Sequence, residues 1–264
     1  IRDLVRSRGL GDVYKRQDAI RTKDFDWNIS LNLAHNENEV TRLSNDVFTM
    51  DKILLGDVFI RGGSSSGTHV LEEGRPIGQF YGLVCNGIDE NGRYIMVDKD
   101  GDGEISDPAD YDYIGSAQPK LTYGITNTFR YKNFDLSFFL RGTIGNDILN
   151  ATRMAYAQSG FLPGTNALDD PLTYTLSETP RFSNYYLEKG SFMRLDNLTL
   201  GYKIKALNGI RVYFTAQNLF VITKYKGLDP EVPMDSGDGL TPGVEPREFY
   251  PKARTFSVGL NLNF

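Results

Sequence analysis

One cysteine, two histidines and one tryptophan in 264 residues remove several kinds of chemistry at the outset. The lone thiol, Cys85, forms no internal disulfide and builds no cysteine metal site. In FYGLVCNGI (80–88) it reads as a small apolar residue. His35 and His69 stand in no metal or nucleophile pattern. GGSSSGTH (62–69) has no Lys after its glycine and is no P-loop, and no G-x-S-x-G elbow occurs. No run approaches 18 apolar residues, so no transmembrane helix is expected. Alternating strands escape that test, because averaging hides them. A net charge of −5 gives no basic footprint for nucleic acid.

The first residues read differently from the rest. IRDLVRSRGLGDVYKRQ (1–17) is basic and has no sustained period. It has no apolar core of signal-peptide length. It resembles translated sequencing-adapter read-through, so 1–17 is expected to be non-native and 18–264 to carry the protein.

What the chain has in abundance is alternation. In DFDWNISLNLAHN (24–36), Phe25, Trp27, Ile29, Leu31 and Leu33 share one face, against Asp24, Asp26, Asn28, Ser30 and Asn32. KLTYGITNTFRY (120–131) sets Leu121, Tyr123, Ile125, Phe129 and Tyr131, with Asn127, against Thr122, Gly124, Thr126, Thr128 and Arg130. NFDLSFFLRGTIGND (133–147) returns after a tight turn at Lys132 and Asn133, which makes a hairpin. SFMRLDNLTLGYKI (191–204) and IRVYFTAQNLFVIT (210–223) make a second hairpin across Asn208 and Gly209. ARTFSVGLNLNF (253–264) closes the series, with Phe256, Val258, Leu260, Leu262 and Phe264 on one face.

Between the hairpins lie long stretches. Residues 148–190 hold Pro163, Pro171 and Pro180, and 224–251 hold Pro230, Pro233, Pro242, Pro246 and Pro251; proline forbids a regular strand through either. A short helix around 148–158 is expected. VFTMDKILLGDVFI (47–60) reads as a strand or a short helix, and RPIGQFYGLVCNGI (75–88) as extended chain. Long unstructured loops argue against a compact soluble domain. They suit an outer-membrane barrel, with short periplasmic turns and long external loops. By that rule 76–119, 148–190 and 224–251 face outside. The competing fold is a secreted carbohydrate-binding or adhesin β-sandwich with a calcium loop. An enzyme barrel of lipase or protease type would need a catalytic constellation that the sequence lacks.

DKDGDGEI (98–105) is the sharpest local motif. Asp98, Asp100 and Asp102 can converge on one hard cation, Gly103 permits the turn, and Glu104 offers its carbonyl. At the twelfth position Ala109 replaces the bidentate glutamate, leaving Asp107 or Asp110 to substitute. The loop is a candidate for weak calcium binding; nothing else asks for a cofactor. Tyr111, Tyr113, Tyr156, Tyr174, Phe182, Tyr185, Tyr186 and Tyr225 in the loops suit either internal packing or contact with sugars or a lid protein.

The ordered pieces RPIGQFYG (75–82), VDKDGDGEI (97–105), IGSAQPKLTYG (114–124), the two hairpins, KYKGLDPEV (224–232) and YPKARTFSVGLNLNF (250–264) resemble the carboxy-terminal barrel of SusC/RagA-type TonB-linked outer-membrane proteins of Bacteroidetes. The resemblance covers about 20–264. It implies the last six to eight antiparallel strands of a 22-stranded, all-β transmembrane barrel, without the amino-terminal plug. It implies energy-coupled import of glycans or peptides in the outer membrane of a Gram-negative cell, and no enzyme. The implied partners are a SusD-like lipoprotein, the TonB complex, outer-membrane lipid and the barrel-assembly machinery. That machinery would read Phe256, Val258, Leu260, Leu262 and Phe264 as a sorting signal. Leu260, Leu262, Phe264 and Tyr202 would stand at the periplasmic end of the apolar band and its aromatic girdle.

Overall fold

A computed structural model describes residues 5–44, 47, 49–60, 63–207, 210–231, 239–246 and 250–262, with the main chain alone at 5–10, 63–66 and 207. The strands in chain order are β1 (Val5–Arg21), β2 (Phe25–Val40), β3 (Lys52–Ile60), β4 (Gly63–Glu72), β5 (Gln79–Leu83), β6 (Cys85–Ile88), β7 (Tyr94–Met96), β8 (Tyr111–Ser116), β9 (Leu121–Tyr131), β10 (Phe134–Ile144), β11 (Asp147–Leu149), β12 (Leu187–Lys189), β13 (Phe192–Ile204), β14 (Ile210–Thr223) and β15 (Thr255–Asn261). Two short helices, α1 (Ala151–Tyr156) and α2 (Pro171–Thr175), lie between β11 and β12.

Seven strands form one antiparallel sheet in the order β1-β2-β9-β10-β13-β14-β15. Each wall strand pairs with the next along the chain, so the sheet is an up-and-down meander. The register places the alternating apolar positions in rows. One row runs Phe25, Tyr131, Phe134, Tyr202, Val212, Leu260 beside the short turns. The next two are Trp27, Phe129, Leu136, Leu200, Phe214, Val258, then Ile29, Asn127, Phe138, Leu198, Ala216, Phe256. Six strands, β2 to β15, thus present one continuous apolar face. The first row puts Tyr202 among aromatics, with the Phe134 and Tyr202 ring centres 4.6 Å apart.

Asn127 is the polar exception on that face. The Trp27 Nε1–H donates to its Oδ1 at 3.0 Å, and Asn127 is buried. A buried polar group is tolerated when it is hydrogen-bonded, and the tryptophan supplies the donor.

The short connections 22–24, 132–133 and 205–209 all lie at one end of the sheet, and 41–120, 145–191 and 224–254 all leave from the other. The turn at Asn208 and Gly209 is outside the described residues. The expectation of unstructured loops is corrected here. The excursions fold together into a cap with its own core. β3-β4-β5-β8 form a four-stranded sheet, β6 pairs with β7, and β11 pairs with β12. The core unites Val58, Ile60, Phe80, Ala117, Leu149, Met154, Leu172, Leu176, Phe182 and Tyr186. Each short element contributes only one or two of these, so no periodicity announces them. Residues 52–60 are strand, not helix. The expected helix near 148–158 is α1, with the Asn150 side chain accepting from the Arg153 N–H at 2.9 Å.

Residues 5–17, within the stretch set aside in the sequence, form the edge strand β1 together with 18–21. Every side chain from Gly11 to Asp24 is exposed. An edge offers backbone partners to any extended segment, whatever its side chains.

Candidate functional site

The inner face of the wall opposes the apolar one. It carries small polar residues, such as Ser30, Thr126, Ser137, Thr199 and Thr215, and a set of ion pairs. The Arg211 guanidinium donates twice to Asp135, Nε to Oδ1 at 2.9 Å and Nη2 to Oδ2 at 2.6 Å. These residues sit on β14 and β10, with β13 between them. The pair crosses directly over Gly201, where a Cβ would lie 2.5 Å from Asp135 Oδ1. Glycine therefore makes room for a bridge between non-adjacent strands.

A second group gathers where the excursion 224–254 leaves the wall. Arg141 donates to Asp196 (Nε to Oδ1, 2.8 Å) and bidentately to Glu231 (2.6 and 3.0 Å). Against β10, Asp196 is an extra residue: Leu140 pairs with Leu195 and Phe139 with Asn197, and this bulge accompanies its contact with Arg141. Arg194 donates to Asp229 at 2.5 Å, with side chains only 4% and 5% exposed. Lys252 reaches Glu231 at 2.5 Å. Partial burial raises the Glu231 pKa, but Arg141 and Lys252 outweigh it and hold the carboxyl below its ordinary value. Further along, the Tyr225 hydroxyl donates to the buried Glu245 carboxylate, which also accepts the Leu228 N–H at 3.1 Å. Burial, with that carboxylate beside it, pushes the Tyr225 hydroxyl far above its usual pKa, so it remains a donor.

The acidic loop sits in the cap. Asp98, Asp100 and Asp102 are exposed, and ligand atoms from all three lie within 4.8 Å of one another. The N–H groups of Gly101 and Gly103 donate to Asp98 at 2.6 and 2.9 Å, and that of Glu104 to Asp102 at 2.8 Å. The Glu104 side chain is exposed. The substitutes suggested for the twelfth ligand are both committed elsewhere. Asp107 pairs with Arg181 at 2.8 Å. Asp110 accepts the N–H groups of Ser106 at 2.7 Å and Lys99 at 2.6 Å, and these bonds hold its carboxyl below the usual range. Asp110 thus ties together the main chain on both sides of the loop.

Of the other sequence candidates, Tyr113, Tyr156 and Tyr185 are half-buried. Phe182, Tyr186, Tyr111 and Tyr225 are buried and pack the cap; Tyr174, at 76% exposure, is the open one. His69 is buried between the Thr68 hydroxyl and the Pro242 carbonyl, 2.9 Å from each. His35 Nδ1 lies 2.7 Å from the Lys120 carbonyl. The Cys85 thiol is buried and donates to the Gly87 carbonyl. Phe256, Val258, Leu260 and Leu262 are exposed along the apolar side of the edge strand; Phe264 lies outside the described residues. Arg141 and Arg194 carried a weak signal in the sequence, two cations inside alternating strands; in register Arg141 lies between Gly124 and Arg194, and Arg194 between Arg141 and Val221. Nothing in the sequence said which carboxylates would answer them.

A meandering sheet with one apolar face, one polar and charged face, and all its long excursions at one end is a wall segment of a transmembrane β-barrel. No protein-family model matches the chain. It is 36% identical to the TonB-dependent receptor SusC of Bacteroides thetaiotaomicron, over 93% of this chain and 25% of that protein. It is 32% identical to the TonB-dependent receptor P3 of Formosa agariphila, over 93% of this chain and 27% of the relative. In structure it matches the RagAB peptide importer in a closed state, at TM-score 0.72 and 25% identity, over 94% of this chain and 28% of that one. The chain belongs to the SusC/RagA type of TonB-dependent receptors. It spans about a quarter of the length of the curated relatives it matches.

Proposed function

We propose that the chain forms part of the wall and outer cap of an outer-membrane importer of glycans or peptides, energised through TonB and working with a SusD-like surface lipoprotein. The observation that carries this reading is the continuous apolar face from β2 to β15, backed by a polar inner face. In water such a face would be a large exposed apolar patch; in a bilayer it is the lipid contact. The resemblance to receptors named for TonB, and to a peptide importer, supports the energy source and the substrate range. In this reading the chain has no catalytic role. The barrel-assembly machinery reads the strand bearing Phe256, Val258, Leu260 and Leu262, with Phe264 at its end. Deleting the gene of the receptor that carries this chain should abolish uptake of fluorescent oligosaccharides or oligopeptides, and its return should restore it. Unchanged uptake of both classes would overturn the proposal.

The loop 98–105 belongs to the same proposal as a weak calcium site, with Asp98, Asp100 and Asp102 as side-chain ligands and Glu104 through its carbonyl. With no carboxylate free at the twelfth position, the affinity expected is about 10⁻⁴–10⁻³ M, as in extracellular modules. Calorimetry of the intact receptor should show calcium heat in that range, lost on Asp100→Ala. Equal heats from the two proteins would refute the site.

A further inference from the structure

We propose that residues 224–231 form a charge-fastened strap, in which the Asp229-Pro230-Glu231 turn grips the inner wall and holds the folded cap down on the barrel rim. The cap's largest apolar core draws its buried members from the excursions 41–120 and 145–191 alone. A smaller cluster reaches the wall at Val40, the last residue of β2. Among the described residues, the buried apolar clusters join cap and wall at that corner, and elsewhere along the rim charge supplies a fastening.

The strap supplies it from both sides. Toward the wall, Asp229 and Glu231 meet Arg194 on β13, Arg141 on β10 and Lys252 just before β15. Two strands of the sheet and the segment leading into β15 thus converge on one turn. The Arg194–Asp229 pair is almost wholly shielded from water. A shielded pair is screened little by salt, and removing one partner leaves an uncompensated buried charge. Toward the cap, the same excursion is stitched to the core. Tyr225 is bound to Glu245. The Glu245 N–H donates to the Leu149 carbonyl at 3.0 Å, and the Leu149 N–H to the Gly243 carbonyl at 2.9 Å. The Pro242 carbonyl meets His69. Gly243 lies so close to the core that a Cβ there would stand 2.6 Å from the Ala117 Cβ. One segment is thus bound to the wall by charge and to the cap by ladder bonds and close packing. Cap and strap move together, and the turn at Pro230 is their tether.

The test uses the intact receptor that carries this chain, in detergent, and reads order in the cap without reference to what is imported. Arg194→Met should raise the rate of proteolytic cleavage within 224–250 by about a hundredfold, because cleavage follows the population of the opened segment. Hydrogen exchange at the Leu149 and Glu245 amides should accelerate in parallel. Heat-modifiable migration on a gel verifies that the barrel is folded. If Arg194→Met does not fold, Glu231→Gln decides: it keeps the volume, drops the charge facing Arg141 and Lys252, and should raise cleavage by about tenfold. A folded variant with unchanged cleavage overturns the strap. So does a released strap that leaves the Leu149 and Glu245 amides fully protected.

Discussion

Phe182→Ala is expected to unfold the outer cap while leaving the seven-stranded wall in place. The Phe182 side chain is 1% exposed and belongs to the apolar core with Phe80, Leu149, Met154 and Tyr186. Its ring lies over Gly82 of β5, where a Cβ would come within 2.8 Å of Cδ1. The glycine is therefore what allows the ring to fill that space. Truncating a buried phenylalanine costs about 3–5 kcal/mol, the lost transfer energy plus the cavity left behind. A core drawn from short elements has few other contacts with which to absorb that loss. Against a typical total of about 5–15 kcal/mol, the cap should lose most of its order. The wall does not share this core, so its ladder should survive. Hydrogen exchange should show lost protection in 79–96 and 147–190, with 121–144 and 192–223 unchanged. Joint loss in both regions would show that cap and wall are one cooperative unit. Tyr174→Ala, at a side chain 76% exposed, is the control and should change stability by less than about 0.5 kcal/mol.

That contrast also explains what could be read in the sequence. The wall was legible because a strand with one apolar face writes its period directly into the chain, as in Phe134, Leu136, Phe138 and Leu140. The long connections were legible by their prolines and their place between hairpins. The cap was not. Leu149, Met154, Leu172, Phe182 and Tyr186 are buried together, yet they lie on one short strand, three helical turns and a stretch of irregular chain, so no window holds a period. Prolines that forbid long strands leave short ones free. The acidic loop was legible as a motif, because its ligands lie two residues apart. Asp110 and Asp229 were not, since their roles depend on backbone and arginines brought near by the fold. The bulge at Asp196 left one trace: two polar residues in succession where the alternation called for one.

Phe138→Arg should destabilise the assembled barrel by about 2–4 kcal/mol, the cost of a cation on the lipid face near the bilayer midplane. Phe138 lies in the middle of β10, in register with Asn127 on one side and Leu198 on the other. Its ring packs 6.0 Å from that of Phe129. One residue away, Ser137 points to the opposite face, between Thr128 and Thr199. Ser137→Arg should therefore cost far less, because an arginine there finds water and the carboxylates of the inner wall. The pair of variants separates the two folds that alternation allows. In a sandwich, the apolar face packs on a second sheet and the polar face meets solvent on the outside. Phe138→Arg would then bury an unpaired cation in a packed core, at a cost greater than on a lipid face, and detergent or lipid would make no difference. In a barrel the polar face is enclosed and the apolar one needs an amphiphile to fold at all. Urea titration in lipid vesicles, followed by heat-modifiable migration, measures both variants on one scale. The barrel reading requires that neither variant nor parent folds without lipid or detergent, that Phe138→Arg lowers the urea midpoint, and that Ser137→Arg does not. A parent chain that folds in plain buffer, or equal losses from the two substitutions, would return the sheet to water and remove the membrane from the argument.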